Sequence, residues 1–156
     1  MELSRLSYLG LSLRRIVMRV KHKYLKEIGV TPIQECFLTK RFSIKDRLRY
    51  RKYLKRYKET GVFPPTTWDM ESSLIQWFYE TASEYLEEAS KVINLNYHTL
   101  EYEGKKYTQL ELLKVFLEKL KYFLIHQDEL WLEEEKGARL QEIYRIWSVL
   151  SPTMWW

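Results

Sequence analysis

The sequence predicts a mainly α protein: a helical bundle with one short β-hairpin and a basic two-helix N-terminal arm. Apolar residues recur at three- and four-residue spacing along most of the chain, which is the periodicity of an amphipathic helix. Only 5 Gly and 4 Pro occur in 156 residues, too few for a turn-rich all-β fold. With 46% apolar residues, the chain is able to bury a hydrophobic core.

Charge divides the chain into two parts, from which we predict a basic helical N-terminal arm (residues 1–61) and an acidic helical core domain (residues 62–156). Residues 1–60 contain 17 Lys or Arg against 5 Asp or Glu, whereas residues 61–156 contain 9 against 16. The boundary is predicted at the turn-forming segment Phe63-Pro64-Pro65. Such asymmetry indicates a partner of opposite charge. The alternative is that the basic arm packs on the acidic domain.

Two helices are predicted in the basic arm. The first follows the apolar spacing of Met1–Ile28 and ends at Gly29, a residue typical of helix C-termini. The second begins after Ser43, a plausible N-cap, and runs to Thr60. Cationic residues cover most of this second helix, and its predicted apolar side consists of Ile44, Leu48, Tyr50, Tyr53, Leu54 and Tyr57.

The core domain begins with a long predicted helix, which starts within Thr66–Asp69 and lasts to about Ile93. Its predicted buried face includes Leu74, Ile75 and Ile93, and its glutamates are expected on the opposite side. A hairpin with its turn at Glu103-Gly104 is the only β element predicted.

Two further helices complete the predicted bundle. The capping box Thr108–Glu111 begins the first of them. The pattern breaks around His126, and a last helix with an inward-facing apolar stripe stops before Pro152. This stripe is predicted to consist of Leu140, Ile143, Tyr144, Trp147 and Leu150.

The cations of the arm are the candidate residues for binding nucleic acid or a partner. Like charges four residues apart on a helix repel each other, and a polyanion, an acidic protein surface or an anionic membrane would relieve that repulsion. The candidates are Arg15, Arg19, Lys23, Arg47, Arg49, Arg51, Lys52, Lys55 and Arg56.

Tyrosines lie among the cations of the second helix and leave the kind of nucleic acid open. Tyr50, Tyr53 and Tyr57 beside Arg and Lys suit single-stranded nucleic acid, whose bases stack on aromatic rings. An arginine-rich helix also suits a duplex groove or phosphate backbone. The alternative is that the tyrosines pack the arm on the core domain.

Three tryptophans are candidate anchors for a protein partner, because Trp is over-represented at the energetic centres of interfaces. They are Trp77, Trp155 and Trp156. The alternative for the terminal pair is a last layer of the core.

No motif for catalysis or for metal binding is found in the sequence. None of the three histidines has a Glu three residues before it, and no His-Glu-x-x-His, Gly-x-Gly-x-x-Gly or Gly-x-Ser-x-Gly occurs. The single Cys36 excludes an intramolecular disulfide and a cysteine-based zinc site. We therefore predict a protein that is not an enzyme and that needs no metal or cofactor.

Residues 63–77 resemble the signature of a family of small bacteriophage-encoded helical proteins of unknown function. That signature is similar to Thr-Trp-x-Leu-Asp-x-x-Leu-Ala-x-Trp followed by a helix. Trp68, Met70, Glu71, Leu74 and Trp77 fill its positions, with Met and Glu in place of the commoner Leu and Asp.

The family's closing aromatic helix resembles Leu140–Tyr144 followed by Trp155 and Trp156, so the resemblance covers residues 62–156. It implies a phage origin and a cytoplasmic helical domain, and it carries no activity. The basic residues 1–60 lie outside it.

We therefore predict a phage-derived, non-enzymatic binding protein whose basic N-terminal helices engage nucleic acid, in the host cytoplasm or in the virion. The alternative is a protein-interaction factor, either a virion component or an inhibitor of a host defence complex. A peripheral membrane protein that uses Met1–Ile28 as an interfacial helix and an enzyme of unrecognised type are the weaker alternatives. No apolar run is long enough to cross a bilayer, and no signal peptide is recognised.

Overall fold

A computed structural model describes residues 22–33, 44–61, 69–130 and 133–154 of the chain. Their elements confirm a mainly α fold with one short β-hairpin. In chain order they are α1 (Lys23–Glu27), α2 (Ile44–Thr60), α3 (Met70–Ala89), β1 (Thr99–Tyr102), β2 (Lys105–Thr108), α4 (Gln109–Ile125), α5 (Glu133–Leu150) and a 3-10 turn (Ser151–Thr153).

The hydrophobic core lies where α4 packs against α3 on one side and against α5 on the other. Ile75 and Phe116 are fully shielded from water, and Ile143 is almost so. The ring centroids of Phe78 and Phe116 lie 5.8 Å apart, within the range of favourable aromatic contacts. Each buried side chain of this kind contributes about 1.5–3 kcal/mol through removal of apolar surface from water.

The hairpin and the start of α4 form as their local sequence signals predict. Glu103 and Gly104 have φ of 50° and 72°, the positive values that a tight two-residue turn demands at both positions. At the α4 N-terminus, the Thr108 hydroxyl accepts from the Glu111 N–H at 3.2 Å. The Glu111 carboxylate in turn accepts from the Thr108 N–H at 2.8 Å, which completes the capping box.

The end of α1 is a Schellman motif centred on Gly29. Gly29 has φ of 75°, the left-handed conformation that glycine adopts without strain. Its N–H donates to the Lys26 carbonyl at 3.1 Å, and the Val30 N–H donates to the Leu25 carbonyl at 2.9 Å. Val30 and Leu25 also pack on the common core, so the motif turns the chain toward α3.

A buried amide fastens the C-terminal turn to the bundle. The Gln109 side chain is 1% exposed, and its Nε2 donates to the Tyr85 hydroxyl at 3.1 Å and to the Thr153 carbonyl at 2.9 Å. Both donor positions of the amide are therefore satisfied, which a buried polar group requires.

Several details of the predicted buried faces are wrong. α3 ends at Ala89 and leaves Ile93 exposed beyond it. Leu74 and Tyr144 were expected in the core and are 39% and 38% exposed. Ile146 instead fills the inward position of α5, where it is fully buried.

Some predicted features lie outside the described residues or stay predictions. Residues 1–21, with most of the first predicted helix, and residues 62–68, with the predicted domain boundary, belong to the parts not described. On the arm side of that boundary, Tyr24 and Leu25 are buried in the same core as α3. No described helix combines the length and apolar character that crossing a membrane requires.

The capping box yields a stability prediction. Thr108→Ala removes the acceptor for the Glu111 N–H, and we expect it to lower the free energy of unfolding by about 1 kcal/mol. Urea titration measures this loss. The control Ser148→Ala removes an exposed hydroxyl from the last turn of α5, where it donates to the Arg145 carbonyl and caps no N-terminus. Ala is the better helix former there, and we expect no loss. Equal effects of both substitutions would contradict a role for the cap.

Candidate functional site

α2 is the most strongly charged element of the described structure. Its 17 residues include eight Lys or Arg and two acidic residues. Seven of the eight cationic side chains are described, and all seven are exposed: Lys45, Arg49, Arg51, Lys52, Lys55, Arg56 and Lys58. The side chain of Arg47, another candidate, lies outside the described part.

The cations of α2 form two rows along the helix. At 3.6 residues per turn, one row lies within an arc of about 60° and contains Lys45, Arg49, Lys52 and Arg56. The second row spans a similar arc, about 130° away, and its described members are Arg51, Lys55 and Lys58. Together the described members of the two rows span about half of the circumference of α2. We call this surface the cationic face.

Almost no internal charge balances the cationic face. Lys55 Nζ lies 3.9 Å from Glu59 Oε1, an exposed pair that is worth less than about 1 kcal/mol. For Arg49, Arg51, Lys52 and Arg56, no carboxylate within the described ranges comes to ion-pair distance. Like charges at i,i+4 therefore remain side by side, at a cost of a few tenths of a kcal/mol per pair.

The tyrosines of α2 lie on the side opposite the cationic face. Tyr53 and Leu54 are half-buried there, and Tyr57 is 47% exposed. Leu48 was expected on this apolar side and is 60% exposed, because its position falls between the two cationic rows. No described residue of α2 belongs to the hydrophobic core.

The glutamates of α3 were expected on the side opposite its buried face, and the structure places three of them against α1. The Glu80 Oε1 accepts from the Leu25 N–H at 2.8 Å, which satisfies a backbone donor left free in the first turn of α1. The Tyr24 hydroxyl lies 2.8 Å from Glu84 Oε2 and 2.7 Å from Glu87 Oε2. These contacts attach α1 to the side of α3.

Lys23, a predicted binding residue, is engaged in the same cluster. Its ammonium lies 2.6 Å from Glu87 Oε2 and 4.8 Å from the centre of the Tyr24 ring. Hydrogen bonds from Lys23 and Tyr24 lower the pKa of Glu87, and the hydrogen bond to Glu87 raises the pKa of Lys23. Burial, followed by the two carboxylates, raises the pKa of the Tyr24 hydroxyl. Since Lys23 has its counter-charge within the chain, we leave it out of the cationic face.

An exposed apolar patch surrounds Trp77, the one predicted anchor that is described. Trp77 is 53% exposed, and Met70 and Leu74 continue its stripe along α3. Tyr144 extends the patch onto α5, and the Trp77 ring meets the edge of Trp147 with centroids 6.4 Å apart. The predictions missed Met70, Leu74 and Tyr144. Their spacing on α3 and α5 is a helical one, and it does not distinguish a buried stripe from an exposed one.

A cleft of about 290 Å³ lies between α4 and α5. The Arg139 guanidinium stacks on the Tyr122 ring at 4.5 Å and pairs with Glu135 at 2.8 Å. Lys119 pairs with Glu142 at 2.7 Å. These two pairs neutralise their own charges, which leaves Glu118 as the charged lining residue without an ion pair among the described residues. Within the described ranges, no three His, Cys, Asp or Glu side chains are grouped as metal ligands.

The remaining predicted site residues lie outside the described part of the chain. They are Arg15 and Arg19 in the first predicted helix, and Trp155 and Trp156 at the C-terminus. Their roles stay predictions.

Comparison with known proteins gives no relative. No protein-family model matches the chain, and no significant similarity is found among curated proteins or solved structures. The resemblance of residues 62–156 to a phage family therefore stays a prediction.

The α1–α3 cluster yields a prediction on pH. The lowered pKa of Glu87 contributes stability above the ordinary glutamate pKa of about 4.3, which is lost as the pH falls through the folded value. The raised pKa values of Lys23 and Tyr24 contribute stability that is lost as the pH rises above about 10. We expect Glu87→Gln to flatten the acid limb of the plot of unfolding free energy against pH. The alkaline limb should be reduced in part, because burial is the largest cause of the raised pKa of Tyr24.

Chemical denaturation at a series of pH values measures both limbs. Glu101→Gln is the matched control, because Glu101 is an exposed carboxylate on β1 with no ion pair among the described residues. The control should keep both limbs of the native protein. Limbs that Glu87→Gln leaves as steep as in the native protein would contradict the stabilising role of the cluster.

Proposed function

We propose that this protein is a non-enzymatic binding protein that engages nucleic acid through the cationic face of α2. The single observation that carries the proposal is the row of exposed cations Arg49, Lys52 and Arg56, which have no counter-charge among the described residues. Phosphates along a nucleic acid would supply that counter-charge. The release of condensed counterions from the nucleic acid would drive binding.

The repulsion between the cations of α2 favours binding of an external polyanion over a purely structural role for these cations. Two rows of like charges lower the stability of the helix that carries them. The nearest structural explanation is that these cations neutralise the glutamates of α3. Contacts within the described residues do not favour it, because Glu87 pairs with Lys23, Glu88 pairs with Lys91 at 2.6 Å, and Glu80 binds the Leu25 N–H.

The arrangement favours sequence-tolerant binding. Lys and Arg on an exposed helix reach phosphates, and phosphate contacts position a protein without reading bases. The predicted sites of action, the host cytoplasm or the virion, both contain nucleic acid, and this part of the proposal rests on the sequence resemblance alone.

A triple charge reversal tests the proposal. We expect Arg49→Glu combined with Lys52→Glu and Arg56→Glu to abolish binding of a labelled oligonucleotide at low salt. For the native protein, each phosphate contact should contribute about 0.7–0.9 to the slope of log K against log salt. Fluorescence anisotropy across a salt series measures the binding and the slope. Circular dichroism should show an intact fold, because exposed substitutions usually change stability by less than about 0.5 kcal/mol each.

The matched control reverses three exposed lysines outside α2: Lys105, Lys114 and Lys121. It changes the net charge equally and should retain most of the binding. Failure of the native protein to bind at low salt, or equal loss in both triple variants, would refute a specific role for the cationic face.

The patch around Trp77 favours a second candidate function, interaction with a protein partner. Contiguous exposed apolar surface on a folded protein is typical of an interaction site. Trp77, Met70 and Leu74 form such a stripe, and the ion pair between Glu71 and Lys136 at 2.5 Å lies on the helices that carry it. An aromatic anchor within a polar rim is the usual arrangement of a protein interface.

The stability of two variants tests whether Trp77 is a surface residue of this kind. Trp77→Ala should cost about 1–2 kcal/mol, because half of the side chain is already in water, whereas Phe78→Ala should cost about 3–5 kcal/mol. Phe78 is the matched control, since it is the next residue on α3 and is 4% exposed. Urea titration measures both. A loss of about 3 kcal/mol or more for Trp77→Ala would make Trp77 an ordinary core residue and remove this second candidate.

A further inference from the structure

We infer that the ligand of the cationic face is double-stranded B-form DNA, with α2 lying in the major groove and one cationic row on each phosphate backbone. This inference rests on the proposed function and names its substrate class. It is carried by the angular separation of the two rows and by the position of the tyrosines.

The dimensions of α2 match the major groove. An α-helix with its side chains is about 10–12 Å across, and the groove of B-DNA is about 12 Å wide. A helix of 17 residues is about 25 Å long, so α2 would follow about seven base pairs. Rows about 130° apart point to the two sides of a groove rather than to one line of phosphates.

The middle of the cationic face agrees with shallow, sequence-tolerant docking. Leu48 lies between the two rows and is 60% exposed, so it would face the floor of the groove. An apolar side chain makes contact there with thymine methyl groups and reads no hydrogen-bond pattern. The cations on either side would hold the helix in place through phosphates.

A single strand fits this surface poorly. Binding of single-stranded nucleic acid combines a basic track with aromatic rings on which bases stack. The described tyrosines of α2, Tyr53 and Tyr57, lie about 140° and 180° around the helix from Leu48 in the middle of the cationic face, and Tyr53 is half-buried. One strand therefore cannot contact the middle of the cationic face and stack on Tyr53 at the same site.

Duplex RNA fits less well than duplex DNA. The major groove of A-form RNA is deep and narrow, so a helix with side chains on both flanks does not enter it. An RNA duplex would meet α2 from outside, with one cationic row at a time. The geometry thus predicts a preference for DNA over RNA of the same length.

The experiment measures binding of the full chain to three labelled probes of about 20 residues per strand: a DNA duplex, its single strand and the RNA duplex of the same sequence. Anisotropy titrations run between about 50 and 200 mM salt. We expect the DNA duplex to bind at least about tenfold more tightly than either of the others, since only it engages both rows.

Two double variants test the rows separately. Arg49→Glu with Arg56→Glu removes two cations from the first row, and Arg51→Glu with Lys55→Glu removes two from the second. Each should lower the magnitude of the duplex salt slope by about 1.8. The control Lys114→Glu with Lys121→Glu carries the same change in charge on α4 and should leave the slope nearly unchanged.

The outcomes separate the inference from the proposed function. Equal binding of the single strand or of the RNA duplex would overturn the groove arrangement, while the cationic face would remain a nucleic-acid site. A duplex salt slope as large as that of the native protein in either double variant would also overturn the groove arrangement, because it would show that one cationic row is enough for binding. No binding of the native protein to any of the three probes would overturn both.

Discussion

The acidic side of α3 determines which cations of the described residues have an internal counter-charge, because its carboxylates bind the first turn of α1. Glu80 accepts a hydrogen bond from a backbone N–H of that turn, and the Tyr24 hydroxyl lies within hydrogen-bond distance of Glu84 and Glu87. Tyr24 and Leu25 are also buried in the common core. Three carboxylates of α3 are thus engaged by α1 and its Lys23. Within the described residues, no cation of α2 forms an ion pair with a carboxylate of α3.

This division separates two roles within one basic segment. The cation of α1 is structural: Lys23 has a partner at 2.6 Å, and its charge offsets that of Glu87. The described cations of α2 are exposed, and the one ion pair found among them is that of Lys55 with Glu59 at 3.9 Å. Net charge alone does not make this distinction, since both stretches are basic in sequence. The contacts of each side chain make it, and they confine the proposed binding surface to one helix.

The features that the sequence predicts correctly depend on interactions within about five residues. Gly29, the Glu103-Gly104 turn and the Thr108–Glu111 capping box each act on their own backbone, so a local pattern is enough to find them. Leu74 and Tyr144 were placed in the core because helical spacing identifies a stripe but not what covers it. The bonds of Tyr24 to α3 span 60 and 63 positions, and no local signal indicates them.

The repulsion within α2 links its stability to its ligand. A helix outside the core gains little from burial, and most helical stability in proteins comes from packing. Rows of like charge lower its stability further. A polyanion that lies along both rows would remove this repulsion, so binding would stabilise the helix by mass action. The same feature that makes α2 a weak structural element therefore favours its role as a binding element. This argument depends on both rows being neutralised together, which an extended, regularly charged ligand achieves and a single small anion does not.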